Sequence, residues 1–300
     1  MNKIKILVVG GTGFIGKHLI KACLRKNWIV TSLSYSLPSK NEKINKVKYI
    51  ACDVSNFKKL KNKVKSKYHY VVNLSGYIDH SSKIKTFLVH YNGCKNLVNI
   101  FKKKPPISFV QIGSSLEYGT SRSPHSEKMK VKKNYIKTNY AKAKYLATEH
   151  IMKLYKKEKF PGTVLRLYQV YGPGQNINRI IPFVIRSCKN DIQFPCSSGI
   201  QSRDFLYVTD AVNAILKTLR SKNCYGEILN IGYGKAIKIK KIILLIKKII
   251  KKGFPLFGKI KLRKEESLYF FPRINKAKKL IKWRPKVKFI KGIKLSINSI

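Results

Sequence analysis

Apolar residues in the first half of the chain form short continuous runs rather than alternating with polar residues. A strand that is apolar on both faces is buried on both faces, which is typical of a parallel sheet covered by helices on each side. The runs that fit such strands are Ile6–Gly10, Trp28–Leu33, Val47–Cys52, Tyr70–Ser75, Ile107–Ser114 and Thr163–Leu167.

Helical patterns separate these runs, among them Phe14–Lys26, Phe87–Lys103 and Tyr140–Tyr155. This alternation predicts a doubly wound α/β domain. After Tyr171 the pattern breaks into shorter pieces rich in turn residues. We therefore predict an α/β domain over residues 1–170 and a smaller lobe over residues 171–300, interleaved with the first.

The run Ile237–Lys252 places isoleucines at helical spacing with lysines between them. A basic amphipathic helix of this kind lies on an anionic membrane, or it packs its apolar face against a core. We expect core packing.

Charge is the unusual feature of the composition: 64 basic and 13 acidic residues leave a net charge of +51. Such a charge attracts nucleic acid, anionic membranes and phosphorylated substrates. The lysines are spread over the whole chain rather than gathered in one tail, so we interpret the excess as drift of the surface composition. We expect no specific nucleic-acid partner.

Cysteine and histidine are scattered, without a C-x-x-C pair or an H-E-x-x-H cluster. This predicts free thiols in a reducing cytoplasm and no metal site. No run resembles a signal peptide or has the length of a membrane span.

Gly10, Gly13 and Gly16 stand at three-residue intervals where the first predicted strand passes into the first helix. At such a junction one glycine permits a tight turn, the next admits a diphosphate to the backbone, and the last lets the helix pack on the strand. The helix N-terminus adds N–H groups and a partial positive charge. The segment predicts a dinucleotide-binding site.

The segment GGTGFIG resembles the fingerprint of the extended short-chain dehydrogenase/reductase family, which contains nucleotide-sugar epimerases, dehydratases and reductases. Later segments resemble further motifs of that family in order: NLSG from Asn73, HYNGCKNL from His90, GSSLEYG from Gly113, YAKAK from Tyr140, RLYQVYGPGQ from Arg166 and RDFLYVTDA from Arg203. The resemblance implies a Rossmann domain followed by a smaller C-terminal substrate-binding lobe.

The resemblance also implies which residues bind the cofactor. Asp53 matches the aspartate that contacts adenine, and Asn92 resembles the asparagine of an N-x-x-G-x-x-N-L helix. The full set is Gly10, Gly13, Phe14, Ile15, Gly16, Ser34, Asp53, Val54, Leu74, Ser75, Gly76, Asn92, Tyr140, Lys144 and Tyr168. An acidic residue after the second strand binds the ribose of NAD. Ser34–Ser36 contains no acidic residue and no arginine, so the cofactor is NAD or NADP.

Tyr140 and Lys144 are four residues apart on a predicted helix, so their side chains leave the same face. An ammonium group beside a phenol favours the phenolate, so we expect Lys144 to lower the pKa of Tyr140. Tyr140 then takes a proton from a sugar hydroxyl while the nicotinamide takes a hydride. The resemblance implies that Ser114 supplies the catalytic hydroxyl, with the adjacent Ser115 as the alternative.

Sugar 4,6-dehydratases of the family carry Asp-Glu after that hydroxyl, where this chain has Ser115 and Leu116. We therefore disfavour a dehydratase and expect an NAD(P)-dependent nucleotide-sugar epimerase or oxidoreductase. The alternative within the family is a nucleotide-4-keto-6-deoxy-sugar reductase. A different class of protein, binding RNA or another polyanion on the same fold, is the non-enzymatic alternative.

The substrate is expected to be a nucleotide-sugar. The resemblance implies that Ser115 and Gln169 bind the substrate, and it places Arg203 and Arg263 on the diphosphate, a role that suits bidentate guanidinium groups. We expect a homodimer.

Overall fold

The computed structural model describes residues 3–65, 67–77, 79, 82–262 and 267–300. The strands within these ranges are β1 (Lys5–Val9), β2 (Ile29–Ser34), β3 (Val47–Ala51), β4 (Tyr70–Asn73), β5 (Ser108–Ser114), β6 (Gly162–Leu167), β7 (Gln169–Tyr171), β8 (Gln193–Pro195), β9 (Ser202–Tyr207), β10 (Ile228–Ile231), β11 (Ala236–Lys238), β12 (Phe254–Leu256) and β13 (Tyr269–Phe270).

The helices alternate with these strands along the chain. The α-helices of the described residues are α1 (Phe14–Leu24), α2 (Phe57–Lys63), α3 (Lys83–Phe87), α4 (Gly93–Phe101), α5 (Asn139–Glu158), α6 (Ile180–Lys189), α7 (Val208–Leu219), α8 (Ile239–Ile250), α9 (Asn275–Ile281) and α10 (Phe289–Ile297). A π-helical turn over Leu88–Asn92 joins α3 to α4, and a 3₁₀ turn over Ser115–Tyr118 follows β5.

A seven-stranded parallel sheet forms the centre of the fold, in the order β10-β6-β5-β4-β1-β2-β3. Strand β1 lies next to the central strand β4 and pairs with β2 on its other side, so that Ile6 lies between Val30 and Tyr70. Alternate residues of β1 enter different cores: Ile6 and Val8 face one helical layer, and Leu7 and Val9 face the other. The doubly wound α/β fold is therefore confirmed.

The smaller lobe is built from residues that follow β6. Strand β9 lies between β11 and β13 and also pairs with β7, while β8 and β12 form a separate ribbon. Helix α8 buries Ile239, Ile242, Ile243 and Ile246 in the core of this lobe. The expected core packing of the Ile237–Lys252 run is confirmed.

Strand β10 lies in a part of the sequence that we assigned to the turn-rich lobe. It pairs in parallel with β6 and forms an edge of the large sheet, with Leu229 opposite Leu165. A strand of four residues between turns does not by itself reveal which sheet it joins, because the pairing partner is about sixty residues earlier in the chain. The division at residue 170 stays a prediction.

All six cysteines are buried free thiols. Within the described ranges, no helix has the length and apolarity to cross a membrane. The same residues contain no group of three His, Cys, Asp or Glu side chains arranged to hold a metal ion.

Candidate active site

The candidate site lies along the carboxyl edge of the large sheet. Parallel strands end at a common edge. Strands β2 and β3 are added on one side of β1 and strands β4 to β6 on the other, and such a change of side leaves a crevice between the segments that follow β1 and β4. Residues predicted from separate segments therefore lie along one edge: Gly10 follows β1, Ser34 ends β2, Asp53 follows β3, Leu74 follows β4, Ser114 ends β5 and Tyr168 follows β6.

The three glycines of the β1–α1 turn meet different surroundings. Gly10 has φ +79°, and a Cβ there would lie 2.8 Å from the carbonyl carbon of Leu74. A Cβ on Gly16 would lie 2.7 Å from Gly11 Cα, whereas one on Gly13 would meet only the Gly10 carbonyl oxygen, at 3.3 Å. Gly10 and Gly16 are thus required by packing, and Gly13 is exposed at the N-cap of α1.

This turn fits the diphosphate of a dinucleotide. Helix α1 begins at Phe14 and has no acidic residue in its first turn, so its N-terminal N–H groups and partial positive charge meet no competing carboxylate of the helix. The backbone N–H of Thr12 donates to Ser34 Oγ at 3.2 Å, which ties the glycine turn to the end of β2.

Two further segments of the edge are held by local hydrogen bonds. Asp53 Oδ1 accepts from the backbone N–H of Ser55 at 2.8 Å. Asn73 Oδ1 accepts from the backbone N–H of Ser75 at 3.1 Å and from its hydroxyl at 2.6 Å. These Asx turns fix the segments that contain the predicted cofactor residues Val54, Leu74 and Gly76.

Ser114, Tyr140 and Lys144 come together between β5 and α5. Tyr140 and Lys144 lie in the first turns of α5, and Ser114 ends β5. A side-chain hydrogen bond joins Ser114 to Tyr140. Lys144 is buried, its Nζ lies 6.0 Å from the centre of the Tyr140 ring, and it donates to the carbonyl oxygen of Ile112 at 2.7 Å.

The expected effect of Lys144 on the pKa of Tyr140 is wrong for this arrangement. Burial raises the pKa of Tyr140, and the hydrogen bond from Ser114 is the main opposing influence. Burial also lowers the pKa of Lys144 from 10.5 to about 8. Desolvation disfavours the charged form of both groups, which favours the neutral phenol.

His90 is a site residue that sequence reasoning missed. Its ring lies edge-on to Tyr140, with centroids 4.9 Å apart and planes at 83°, and its Nε2 accepts from the backbone N–H of Tyr77 at 3.2 Å. The signal was in the spacing: in an N-x-x-G-x-x-N-L motif ending at Asn96–Leu97, the first position falls on His90 rather than Asn92.

Asn92 and Tyr168 remain predictions as cofactor residues. Asn92 is partly buried in the π-helical turn, a helical distortion that is frequent at functional sites. Tyr168 is buried, and its hydroxyl lies 2.9 Å from Nδ1 of His125. Its phenol is therefore engaged with the interior of the protein.

The predicted substrate residues are spread over a wider region. Ser115 is buried beside Ser114, and Leu116 is 41% exposed. Gln169 is exposed on β7, opposite Phe205 of β9. Arg203 Nη1 donates to the carbonyl oxygens of Ser202 and Ser267, each at 2.8 Å. Arg263 lies outside the described residues.

Comparison with known proteins identifies relatives of the whole chain. Residues 6–232 match the family model of the NAD dependent epimerase/dehydratase family. The dTDP-4-dehydro-6-deoxyglucose reductase of Escherichia coli is 29% identical, over 100% of this chain and 98% of that protein. The dTDP-D-glucose 4,6-dehydratase of Homo sapiens is 28% identical, over 98% of this chain and 89% of that protein.

Solved structures share the fold. The UDP-glucose 4-epimerase of Thermotoga maritima, solved with UDP-glucose, superimposes with a TM-score of 0.89 at 21% identity, covering 99% of this chain and 98% of the other. At that identity the likeness concerns the fold alone.

Proposed function

Because this chain belongs to the NAD-dependent epimerase/dehydratase family, we propose that it is an epimerase or a 4-keto-sugar reductase acting on a nucleotide-sugar. The observation that carries the proposal is the joining of Ser114, Tyr140 and Lys144 at the carboxyl edge of the sheet, beside a glycine turn that fits a diphosphate. Nicotinamide dinucleotide, when bound, supplies the exchange of a hydride with a sugar carbon.

Each of the three side chains has a distinct task in the proposed reaction. Tyr140 exchanges a proton with the hydroxyl or carbonyl oxygen of the reacting carbon. Ser114 hydrogen-bonds the same oxygen and holds Tyr140. Lys144 is buried close enough to the Tyr140 ring for its ammonium form to favour the phenolate once a ligand changes the local solvation.

Ser115 and Leu116 argue against a 4,6-dehydratase. Elimination of water needs an acid and a base beside the reacting carbon, and neither a hydroxymethyl nor an isobutyl side chain titrates near neutral pH. Leu116 is 41% exposed, so a carboxylate would be tolerated there, and its absence is not imposed by packing. The sequence similarity to a reductase along the whole chain makes reduction of a 4-keto-6-deoxy sugar the second candidate.

One assay separates these reactions. The purified protein is incubated with UDP-, dTDP-, CDP- and GDP-hexoses, and with the corresponding 4-keto-6-deoxy sugars, in the presence of either nicotinamide cofactor. Epimerisation changes sugar stereochemistry with no net change in reduced cofactor, whereas reduction consumes one reduced cofactor for each sugar. A 4-keto-6-deoxy product formed from a hexose, or no reaction with the whole panel, would contradict the proposal.

For the cofactor, the end of β2 discriminates little between NAD and NADP. Ser34 is buried and accepts from Thr12, and Tyr35 is 81% exposed, so neither a carboxylate nor a guanidinium meets the ribose 2′ position in that segment. We propose weak selectivity, with affinities for NAD and NADP within about tenfold of each other.

We further propose a homodimer in a reducing cytoplasm, where the six buried thiols stay free.

A further inference from the structure

Glu117 is a fully buried carboxylate directly beneath the candidate catalytic residues. It lies in the 3₁₀ turn after β5, and its Oε1 accepts from the backbone N–H of Ser114 at 2.7 Å. Its Oε2 accepts from Thr148 Oγ1 at 2.7 Å and from Arg166 Nε at 2.8 Å. Both oxygens are thus fully engaged.

These contacts connect the three elements that meet at the site. Ser114 ends β5, Thr148 lies on α5 one turn beyond Lys144, and Arg166 lies on β6. Glu117 therefore ties the loop that contains Ser114 to the helix that contains Tyr140 and Lys144. The distance between the Ser114 hydroxyl and the Tyr140 phenol depends on this connection.

Stability alone is a weak explanation for the buried ion pair between Glu117 and Arg166. The Arg166 side chain is 4% exposed, that of Glu117 is 0% exposed, and the guanidinium carbon lies 4.5 Å from the centre of the Tyr118 ring. Removing two charges from water costs about as much as their attraction returns, so a buried ion pair is often no better for stability than an apolar pair. Its value lies in fixing geometry.

We propose that Glu117 is a positioning residue for catalysis, holding Ser114 against Tyr140 and adding a negative charge beneath the Tyr140–Lys144 pair. The inference rests on the proposed function. Burial has the largest effect on the pKa of both Tyr140 and Lys144; the charge of Glu117 adds to the rise at Tyr140 and offsets part of the fall at Lys144, so it shifts the pH range in which the two groups exchange protons. A purely structural role would not have this second effect.

The test is Glu117→Gln, which keeps an oxygen for the Ser114 N–H and removes the charge. We expect kcat/KM to fall at least about tenfold while KM for the cofactor changes little. Both limbs of the pH profile of kcat/KM should move to lower pH, since the acidic limb lies at the pKa of Lys144 and the basic limb at the higher pKa of Tyr140, and removing the negative charge lowers both. The matched control is Glu127→Gln, which removes a partly buried carboxylate hydrogen-bonded to Asn230 N at 2.8 Å.

A double-mutant cycle locates the effect. If Glu117 acts through Ser114, then Glu117→Gln costs much less kcat in a Ser114→Ala background than in the wild type. Should Glu117→Gln fold poorly, Glu117→Gln with Arg166→Met removes both charges of the pair, and the same profile and cycle are measured on it. Additive losses with an unshifted pH profile would overturn the proposal.

A measurement without substrate separates this inference from the proposed function. The Tyr140 phenol is titrated by NMR in protein labelled at the tyrosine Cζ, with Tyr140→Phe assigning the signal. Glu117→Gln should lower the pKa of Tyr140, and Glu127→Gln should leave it in place. If no nucleotide-sugar is turned over, the proposed function fails while this shift still supports the positioning role; an unchanged Tyr140 titration overturns that role whatever the activity.

Discussion

At the scale of single residues, burial rather than the neighbouring cation dominates the ionisation of Tyr140. The phenol is desolvated, and Lys144 loses part of its proton affinity to the same environment. Burial thus favours the neutral form of both side chains, and a neutral phenol can donate its proton to a substrate oxygen. The site is therefore arranged for proton exchange at a defined atom rather than for a resting phenolate.

Tyr140→Phe removes that proton path and little else. We expect kcat to fall by about 10²- to 10⁴-fold, since this is the usual contribution of a positioned acid–base group. Cofactor affinity and the thermal midpoint should change little, because the ring stays against His90. Tyr145→Phe on the same helix is the control. Turnover within a few-fold of wild type in Tyr140→Phe would remove Tyr140 from its role.

Arg203 is the described arginine that we assign to the substrate diphosphate. Arg203→Ala should raise KM for the nucleotide-sugar about tenfold or more and change kcat less, because a charge-assisted contact made before the chemical step is lost. Arg220→Ala serves as the control, because it also removes a guanidinium, but one that packs over the Trp28 ring, 5.4 Å from its centre, and that we do not assign to the substrate. Equal KM values in the two variants would contradict the assignment.

At the scale of elements, the β1–α1 turn separates the needs of packing from those of binding. Gly16 supports the contact of α1 with the turn, and a side chain there meets backbone atoms of Gly10 and Gly11. A Cβ on Gly13, at the helix N-terminus, would meet only the carbonyl oxygen of Gly10, at 3.3 Å. The two glycines of this motif are thus required for different physical reasons: Gly16 for packing and Gly13 for binding.

Gly13→Val and Gly16→Val should therefore fail in different ways. Gly13→Val should abolish measurable cofactor binding in a calorimetric titration while the thermal midpoint stays within a few degrees of wild type, because its side chain enters the space for the diphosphate. Gly16→Val should lower the thermal midpoint strongly, because the helix must move. Normal cofactor affinity in Gly13→Val would mean that the turn does not hold the diphosphate.

At the scale of the whole molecule, a buried polar network joins the sheet to the smaller lobe. His125 packs its ring against Tyr118, with centroids 4.6 Å apart, and hydrogen-bonds Tyr168 after β6. Its carbonyl oxygen accepts from Asn230 of β10 at 3.1 Å and from the backbone N–H of Arg273 at 2.8 Å. Protonation of His125 would thus disturb several elements together.

Burial lowers the pKa of His125 from 6.5 to about 4. Its contribution to stability is complete above the unfolded-state value of 6.5 and is lost as the pH falls toward 4, because the unfolded chain binds the proton first. The loss is about 3 kcal/mol. The free energy of unfolding of wild type minus that of His125→Gln should shrink by this amount between pH 7 and pH 4. His69→Gln is the control, and a difference independent of pH would contradict the expectation.

The charge of +51 is expected to act as a diffuse field. Binding of double-stranded DNA or RNA should be weak, independent of sequence and lost steeply with salt, as counterion release requires. Substitution of Lys247, Lys248, Lys251 and Lys252 by Gln should weaken this binding and leave KM for the nucleotide-sugar unchanged. Sequence-selective binding that survives near-molar salt, without turnover of any nucleotide-sugar, would favour the polyanion-binding alternative.

The sequence by itself determined the doubly wound sheet, the glycine turn and the closeness of Tyr140 to Lys144, because apolar runs, glycine spacing and helical periodicity are local properties of the chain. Tertiary structure decided what depends on distant segments. It placed β10 beside β6, put His90 against Tyr140 and buried Glu117 with Arg166. It also reversed the expected direction of the Tyr140 pKa. Desolvation depends on everything packed around a group, and a linear pattern does not contain that information.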